Sequence, residues 1–362
     1  MSWTAILSQS AVFIWNSPSL PKHACVGRLW IVSQILSVKR SANMSEIVSV
    51  HLPIAIISAV ERQLQESKKW YPAEANGRQR EFIRQFVCNR YRTEASELLY
   101  RELEAWIEST PRAMNHRLRR EGVNRGIGCY EVFNGHEEFC AFGSLSLFVR
   151  LLRCESTAIK IGDVYYPAVV VPKNSAGIGS RPCYSIHFSE REPVIQFPVR
   201  MKGSEENDQA DNLFIIRAHK ALAGPQLAER IERIRKSLVR VNDQRTASET
   251  VVLPMIDVNC QDSGAWMRHM WVERKEGRYS AALAAQRVQL RINQKDSLVS
   301  QAPAGGLVDE DVRSFIVQWP FFLWIERPGV TLPIIYAYLD QSSWGVPMDN
   351  RIVAGARLRA AV

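Results

Sequence analysis

Acidic charge is what this sequence is short of. It sets 37 aspartates and glutamates against 46 lysines and arginines, a formal net charge of +9. That imbalance favours acidic partners, such as a glycosaminoglycan, a nucleic acid or an anionic surface, over basic ones. Long apolar runs are also missing. No stretch of about 18 uncharged apolar residues occurs, so no transmembrane helix and no membrane partner are expected. Paired cysteines are missing too. Cys25, Cys88, Cys129, Cys140, Cys154, Cys183 and Cys260 are scattered, odd in number and without a C-x-x-C pair. That speaks against a disulfide framework or a zinc site. It favours reduced thiols inside a cell, with secretion left open. The apolar stretch Thr4–Trp15 has no basic residue before it and is interrupted by Ser8, Gln9 and Ser10, which makes a poor secretory signal.

Enzyme signatures are absent as well. The chain carries no G-x-G-x-x-G, P-loop, H-E-x-x-H or G-x-S-x-G pattern. No catalytic residue, cofactor or metal site is therefore expected. His136-Glu137-Glu138 near Cys140 matches no standard metal spacing and reads as a solvated turn. His51, His116, His187, His219 and His269 stand isolated.

What is present is enough apolar residue, 46% of 362, for a sizeable core. Helical spacing occurs in Glu97–Ile107, where Leu99, Leu103, Trp106 and Ile107 share a face. It recurs in Gln226–Leu238, through Leu227, Ile231, Ile234 and Leu238. Strand signals dominate elsewhere. Val169–Val171, Leu213–Ile216 and Val251–Val258 are β-branched and apolar. Phe315–Ile325 and Leu332–Leu339 are nearly continuous apolar runs, as strands buried on both faces require. Helices early and strands late predict an α+β fold rather than alternating βαβ units. Polar, acidic Lys202–Asp211 and the Pro- and Gly-containing stretch Gln301–Asp311 read as loops. The expected organisation is an ill-defined segment over 1–43, one domain over 44–346 and a tail over 347–362.

Arginines cluster twice. Arg78, Arg80, Arg84, Arg90 and Arg92 form one group, with Arg80 and Arg84 one helical turn apart. Arg112, Arg117, Arg119, Arg120 and Arg125 form the other. Guanidinium forks suit sulfate and phosphate oxygens. Arg80, Arg84, Arg117 and Arg120 are therefore candidate polyanion-binding residues. Ordinary solvated helix faces would carry the same charges.

The last third resembles the C-terminal half of the serpins. Phe315 is followed after four residues by Pro320-Phe321 and an apolar strand, and Leu332–Leu339 supplies the next strand. Upstream, in the same order as in that family, stand Pro193–Pro198, Asp211–Ile216, the helix at Gln226–Leu238 and Val251-Val252-Leu253-Pro254. Trp106-Ile107-Glu108 with Thr110 is similar to a serpin helix motif. The resemblance covers about Pro193–Asp340. It implies a serpin-like α+β fold of three β-sheets surrounded by helices, with an exposed reactive-centre-like loop, in a monomeric chain. In such proteins a protease cuts the loop, which then inserts as a new central strand and traps its attacker.

On that resemblance the loop spans about 294–313. Gln294-Lys295-Asp296-Ser297 stand at the hinge, where the family has E-E-G-T. Asp296 thus replaces a hinge glycine, and Pro303 falls in the segment that would insert. Both oppose insertion. The scissile region falls at Asp309-Glu310-Asp311, which suits an Asp-directed protease and repels a trypsin-like one. Two alternatives stay open: a non-inhibitory serpin-fold binding or carrier protein with a basic polyanion-binding surface, and an unrelated α+β structural protein.

The apolar continuity around Phe321 generates the first expected outcome. Burying each large side chain there contributes about 1.5–3 kcal/mol, so Phe321→Asp should abolish folding. A soluble variant with a cooperative thermal melt would contradict it.

Overall fold

The computed structural model describes residues 45–65, 69–74, 76–87, 99, 101–120, 137–151, 154–173, 183–201, 210–240, 250–262, 265–275, 277–293 and 314–347. Contacts divide the chain into Met1–Ala42 and Asn43–Val362, and every described residue lies in the second unit. In chain order the strands are β1 (Glu46–Val48), β2 (Trp70–Tyr71), β3 (Leu103–Glu108), β4 (Glu138–Leu151), β5 (Glu155–Ile161), β6 (Val164–Pro172), β7 (Ser185–Ser189), β8 (Glu192–Met201) and β9 (Asp211–Arg217). They continue with β10 (Val239–Arg240), β11 (Thr250–Pro254), β12 (Ile256–Asp262), β13 (Trp271–Arg274), β14 (Gly277–Asn293), β15 (Ser314–Ile316), β16 (Phe321–Glu326) and β17 (Ile335–Leu339). The helices are α1 (His51–Leu64), α2 (Gly77–Phe82), α3 (Pro111–Arg120) and α4 (Gly224–Lys236); α2 runs into a π-helical turn, Ile83–Val87. This is the expected α+β class.

A 13-stranded sheet and a 4-stranded sheet account for the strands. The large sheet has two lobes. In one, β14 lies parallel to β4 and antiparallel to β12 and β13, with β3 on β4 and β2 on β13. The other runs β1-β17-β16-β9-β8, with β7 on β8 and β10 on β7. Val149–Leu151 of β4, paired with Val199–Met201 of β8, joins the lobes in the sheet, and Ile256 of β12 forms an isolated bridge with Trp344, after β17. Among the described residues the strands therefore form two hydrogen-bonded sheets where three were expected, because β4–β8 pairing makes the two lobes continuous and leaves β15-β11-β6-β5 separate.

Period-two alternation builds two cores from the same strands. Phe321, Leu323 and Ile325 of β16, Ile335, Ala337 and Leu339 of β17, and Leu213 and Ile215 of β9 face the main core. Their neighbours Phe322, Trp324, Tyr336, Tyr338, Phe214 and Ile216 face a second core. The apolar stripe of α4 closes it with Leu227, Ile231 and Ile234. Phe214 and Trp324 stack there, with centroids 5.0 Å apart. The polar atoms under α4 are all engaged. Tyr336 Oη donates to Glu232 (2.7 Å), Arg235 donates to Glu232 (2.6 Å) and Glu326 (2.8 Å), and Trp324 Nε1 donates to Glu326 (2.9 Å). Buried donors without such acceptors would each cost about 1–3 kcal/mol.

Several expected elements divide or change type. Val251–Val258 is two strands in different sheets, separated at Met255, whose N–H bonds Pro167 O instead of a ladder partner (2.9 Å). Phe315–Ile325 is likewise β15 and β16, broken before Pro320, which has no N–H to donate. Leu332–Leu339 contributes β17 only from Ile335, beyond Pro333. Glu97–Ile107 is not a helix where it is described. Leu103–Glu108 is β3, and the helix follows it at Pro111–Arg120. The serpin-helix resemblance of Trp106-Ile107-Glu108 therefore fails, because these residues pair with Phe142, Ala141 and Cys140 of β4.

One buried ion triad crosses the lobes. Arg327, after β16, forks onto Asp211, the first residue of β9, at 2.9 Å through both Nε and Nη2. It also forks onto Glu102, just before β3, at 2.6 and 3.1 Å. The three side chains are 16%, 6% and 9% exposed. The two carboxylates raise the Arg327 pKa against a burial penalty that acts the other way and is the largest single influence.

Removing one partner of a buried pair strands the other charges, at about 3–5 kcal/mol. Some solvent reaches Arg327, so Arg327→Ala should cost about 3 kcal/mol in urea unfolding; a loss below about 1 kcal/mol would contradict the triad's role. Alkaline pH tests the burial of several acids. Burial pushes Tyr336, Tyr279 and Tyr338 above the ordinary phenol value, and Glu232 adds to the rise at Tyr336. Burial also pushes the Cys154 thiol up to about 11. The folded state then holds protons that the unfolded chain releases above about pH 9–10. Stability should be flat from neutrality to about pH 9 and fall as pH rises further. Urea midpoints that rise or stay level between pH 9 and 11 would contradict this.

Candidate functional site

The segment expected to meet a protease is framed by two strands in different sheets. β14 ends at Asn293 and the next described strand, β15, begins at Ser314. Gln294, Lys295, Asp296, Ser297, Pro303, Asp309, Glu310 and Asp311 lie between them, outside the described residues. On the N-terminal side, β14 pairs in parallel with β4 from Ser280↔Glu138 to Asn293↔Arg150, with one irregularity between Ala281 and Leu283. On the C-terminal side, β15 pairs in parallel with β11 at the edge of the small sheet.

The β4–β14 ladder is covered on both faces. Phe139, Ala141, Leu145, Ala281 and Ala284 belong to the main core with Leu52 and Ile56 of α1. Gly143 sits at their closest approach, where a Cβ would come within 2.9 Å of Leu52 Cδ2. Cys140, Phe142, Ala282 and Ala285 point the other way, onto Trp106 of β3 and Met114 and Leu118 of α3.

The two arginine pairs occupy different places. Gln79, fully buried in α2, donates to Trp266 O (2.7 Å) and Arg268 O (2.8 Å) and accepts from Ala73 N (2.6 Å). That anchor leaves Arg80 exposed on the outer side of α2. Arg84, in the π-helical turn, pairs with Glu81 at 2.5 Å, and the hydrogen bond lowers the Glu81 pKa. Both partners are exposed, so this pair adds little stability. Arg84 also lines a cavity of about 1240 Å³, together with Arg78, Phe82, Phe86, Trp266 and Arg233.

Arg117 and Arg120 lie on α3. Thr110 Oγ1 accepts from Ala113 N (3.2 Å) at its start. Met114 and Leu118, one turn apart, bury one face against the ladder. The other face, with Glu108 and Thr110, borders a hollow of about 460 Å³ lined by Arg112, His116, Arg117 and Arg120. Arg117 lies over the Trp106 ring at 4.4 Å and meets Glu108 Oε1 at 3.4 Å. The arginine cluster was visible in the sequence, but the aromatic floor beneath Arg117 was not, because Trp106 belongs to a separate element. Among the described residues no three His, Cys, Asp or Glu side chains converge as metal ligands would.

No family model and no curated protein matches the sequence. Solved structures similar to this chain include SRPN18 from Anopheles gambiae, at 11% identity and a TM-score of 0.45, covering 84% of this chain and 94% of that one. Native protease nexin-1 with heparin is similar at 9% identity and a TM-score of 0.46, over 86% and 96% of the two chains. Mouse protein-Z dependent protease inhibitor is similar at 9% identity and a TM-score of 0.47, over 85% and 93%. All three are serpins, the family whose motifs the sequence resembles.

Proposed function

We propose that this chain is a serpin-like protein of the protease-inhibitor superfamily whose segment 294–313 serves as a protease bait loop and is cut as a substrate. The observation that carries this reading is the frame of the loop. The chain leaves the β4–β14 ladder at Asn293 and resumes at Ser314 on the edge of the other sheet. A connection from 294 to 313 can span about 65 Å when extended, enough to stand clear of both sheets or to lie along the ladder.

Insertion would require β4 and β14 to part, and their hydrogen bonds to be replaced on both sides of the incoming strand. Each ladder bond is worth about 0.5–1.5 kcal/mol net. Pro303 has no N–H for such a bond and Asp296 would bring a carboxylate to the sheet. Both raise the cost of insertion relative to leaving the loop outside. Acidic Asp309-Glu310-Asp311 suits a protease with a basic specificity pocket.

A second reading, a non-inhibitory serpin-fold carrier with a basic polyanion-binding surface, is favoured by the hollow that Arg112, Arg117 and Arg120 share on α3. Association through such a surface weakens as salt rises.

Incubation with an Asp-directed and a trypsin-like protease, followed by SDS gels and a thermal melt, tests the bait-loop reading. The Asp-directed enzyme should cut within 309–311, leave no covalent complex, and shift the melting temperature by no more than about 2 °C, the size of a sub-kcal change in a chain of this length. A complex stable in SDS, or a rise above about 10 °C, would mean that insertion works and overturn the substrate reading. Resistance to every protease within 294–313 would remove the bait loop itself.

A further inference from the structure

Arg217, the last residue of β9, stands beside the place where the chain resumes after 313. Its ladder neighbour is Phe321, and its guanidinium lies over the Trp319 ring at 5.9 Å. Trp319 meets Phe315 edge to face, with centroids 5.9 Å apart, so the turn before β16 brings the indole back to the second residue of β15. Phe315 and Trp319 both pack partly against the main core, which holds the two rings in place. Ile316, between them in the chain, is 39% exposed. Arg217 is exposed and Trp319 half-buried. Neither the Arg217 guanidinium nor the Trp319 indole N–H has a hydrogen-bond or ion-pair partner among the described residues. Glu192, on the neighbouring strand β8, is taken by His219. At 5.9 Å the Arg217 cation sits at the outer limit of cation–π reach, so its fork stays available to a carboxylate.

A held, half-exposed tryptophan beside an unpaired arginine is the composition of an interface anchor, since these two residue types carry much of the energy where proteins dock. The position indicates what docks there. Asp309-Glu310-Asp311 lies three to five residues before Ser314, at most about 18 Å of extended chain. A folded domain of about 200 residues has a radius of gyration of about 16 Å. A protease holding 309–311 in its cleft therefore reaches Phe315, Trp319 and Arg217 on the C-terminal side of the cut. We propose that Arg217 and Trp319 form a secondary docking site for the protease that cuts 309–311, taking a carboxylate of that protease on Arg217 and an apolar side chain against Trp319. The inference rests on the bait-loop reading and adds a basic contact beyond an acidic cut site.

The test cuts the full chain with an Asp-directed protease, in parent form and as Arg217→Gln, Arg217→Glu and Trp319→Leu, and reads the rate of cleavage within 309–311 at low and high salt. A synthetic peptide of residues 304–316 in the same reaction monitors the protease itself. A nonspecific protease that cuts within 294–313 monitors access to the loop. Arg217→Gln and Trp319→Leu should each slow the Asp-directed cut about fivefold, and Arg217→Glu should slow it more. The peptide and nonspecific rates should stay within about twofold of the parent's. Rising salt should slow cleavage of the parent and change Arg217→Gln far less, because it screens the docking charge. Arg217 is exposed, so its variants keep the test decisive if Trp319→Leu fails to fold. Equal Asp-directed rates in the parent and the Arg217 variants would overturn the docking site while leaving the bait loop standing. Equal slowing by both proteases would assign Arg217 to the conformation of the loop and overturn it too. Absence of an Asp-directed cut within 309–311 in the parent would also overturn it, and resistance to every protease within 294–313 would remove the bait loop beneath it.

Discussion

The parallel ladder between β4 and β14 is the contact on which the rest of this molecule hangs. It joins segments some 140 positions apart in the chain, from Ser280↔Glu138 to Asn293↔Arg150. Loop closure over such a distance is costly and must be repaid by burial on both faces. Small residues make that possible. Gly143 lets Leu52 and Ile56 of α1 press onto one face, and Ala282 and Ala285 admit Trp106, Met114 and Leu118 on the other. β12 and β13 depend on β14, and β3 and β8 on β4, so the order of the large sheet follows from this pair.

Among the described residues the second lobe is fastened to the first by few backbone bonds, those of Val149–Leu151 with β8 and the bridge between Ile256 of β12 and Trp344. Side-chain charge supplements them. Arg327 holds the start of β9 and the approach to β3 together through four hydrogen bonds. Such a triad adds less stability than its Coulomb attraction suggests, because three ions lose water. Its geometry is specific, however, since one guanidinium forks onto both carboxylates.

The strands were legible where their apolar runs were long. Phe321–Ile325 and Ile335–Leu339 are buried on both faces, as continuous runs require, and α4 shows its Leu227, Ile231 and Ile234 stripe in the sequence. β3 was misread for a physical reason. Leu103, Ala105 and Ile107 pack toward the main core while Trp106 packs toward α3, so both faces are apolar and the spacing satisfies a helix equally well. Sheet changes at Met255 and before Pro320 were masked by the apolar residues on either side. The Arg327 triad left no sequence signal, since its members are 116 and 225 positions from the arginine. The hollow on α3 was half legible. Its arginines cluster in sequence, whereas the indole that orients Arg117 becomes its neighbour only through folding.

The direct pairing of β4 with β14 is the claim most directly open to measurement. Ser146 and Gln289 are register partners whose side chains meet at 3.4 Å. Cysteines at both positions should therefore form a disulfide under mild oxidation, detected by peptide mapping, in the intact chain and again after the loop is cut. Ser146→Cys with Leu290→Cys, one residue out of register, should not, because those side chains lie on opposite faces. An inserted strand would hold β4 and β14 about 9.6 Å apart, twice the normal strand spacing, beyond the reach of a disulfide. Cross-linking of the 146–289 pair before and after cleavage is the expected result. Its absence in the intact chain, or its loss on cleavage, would contradict the account.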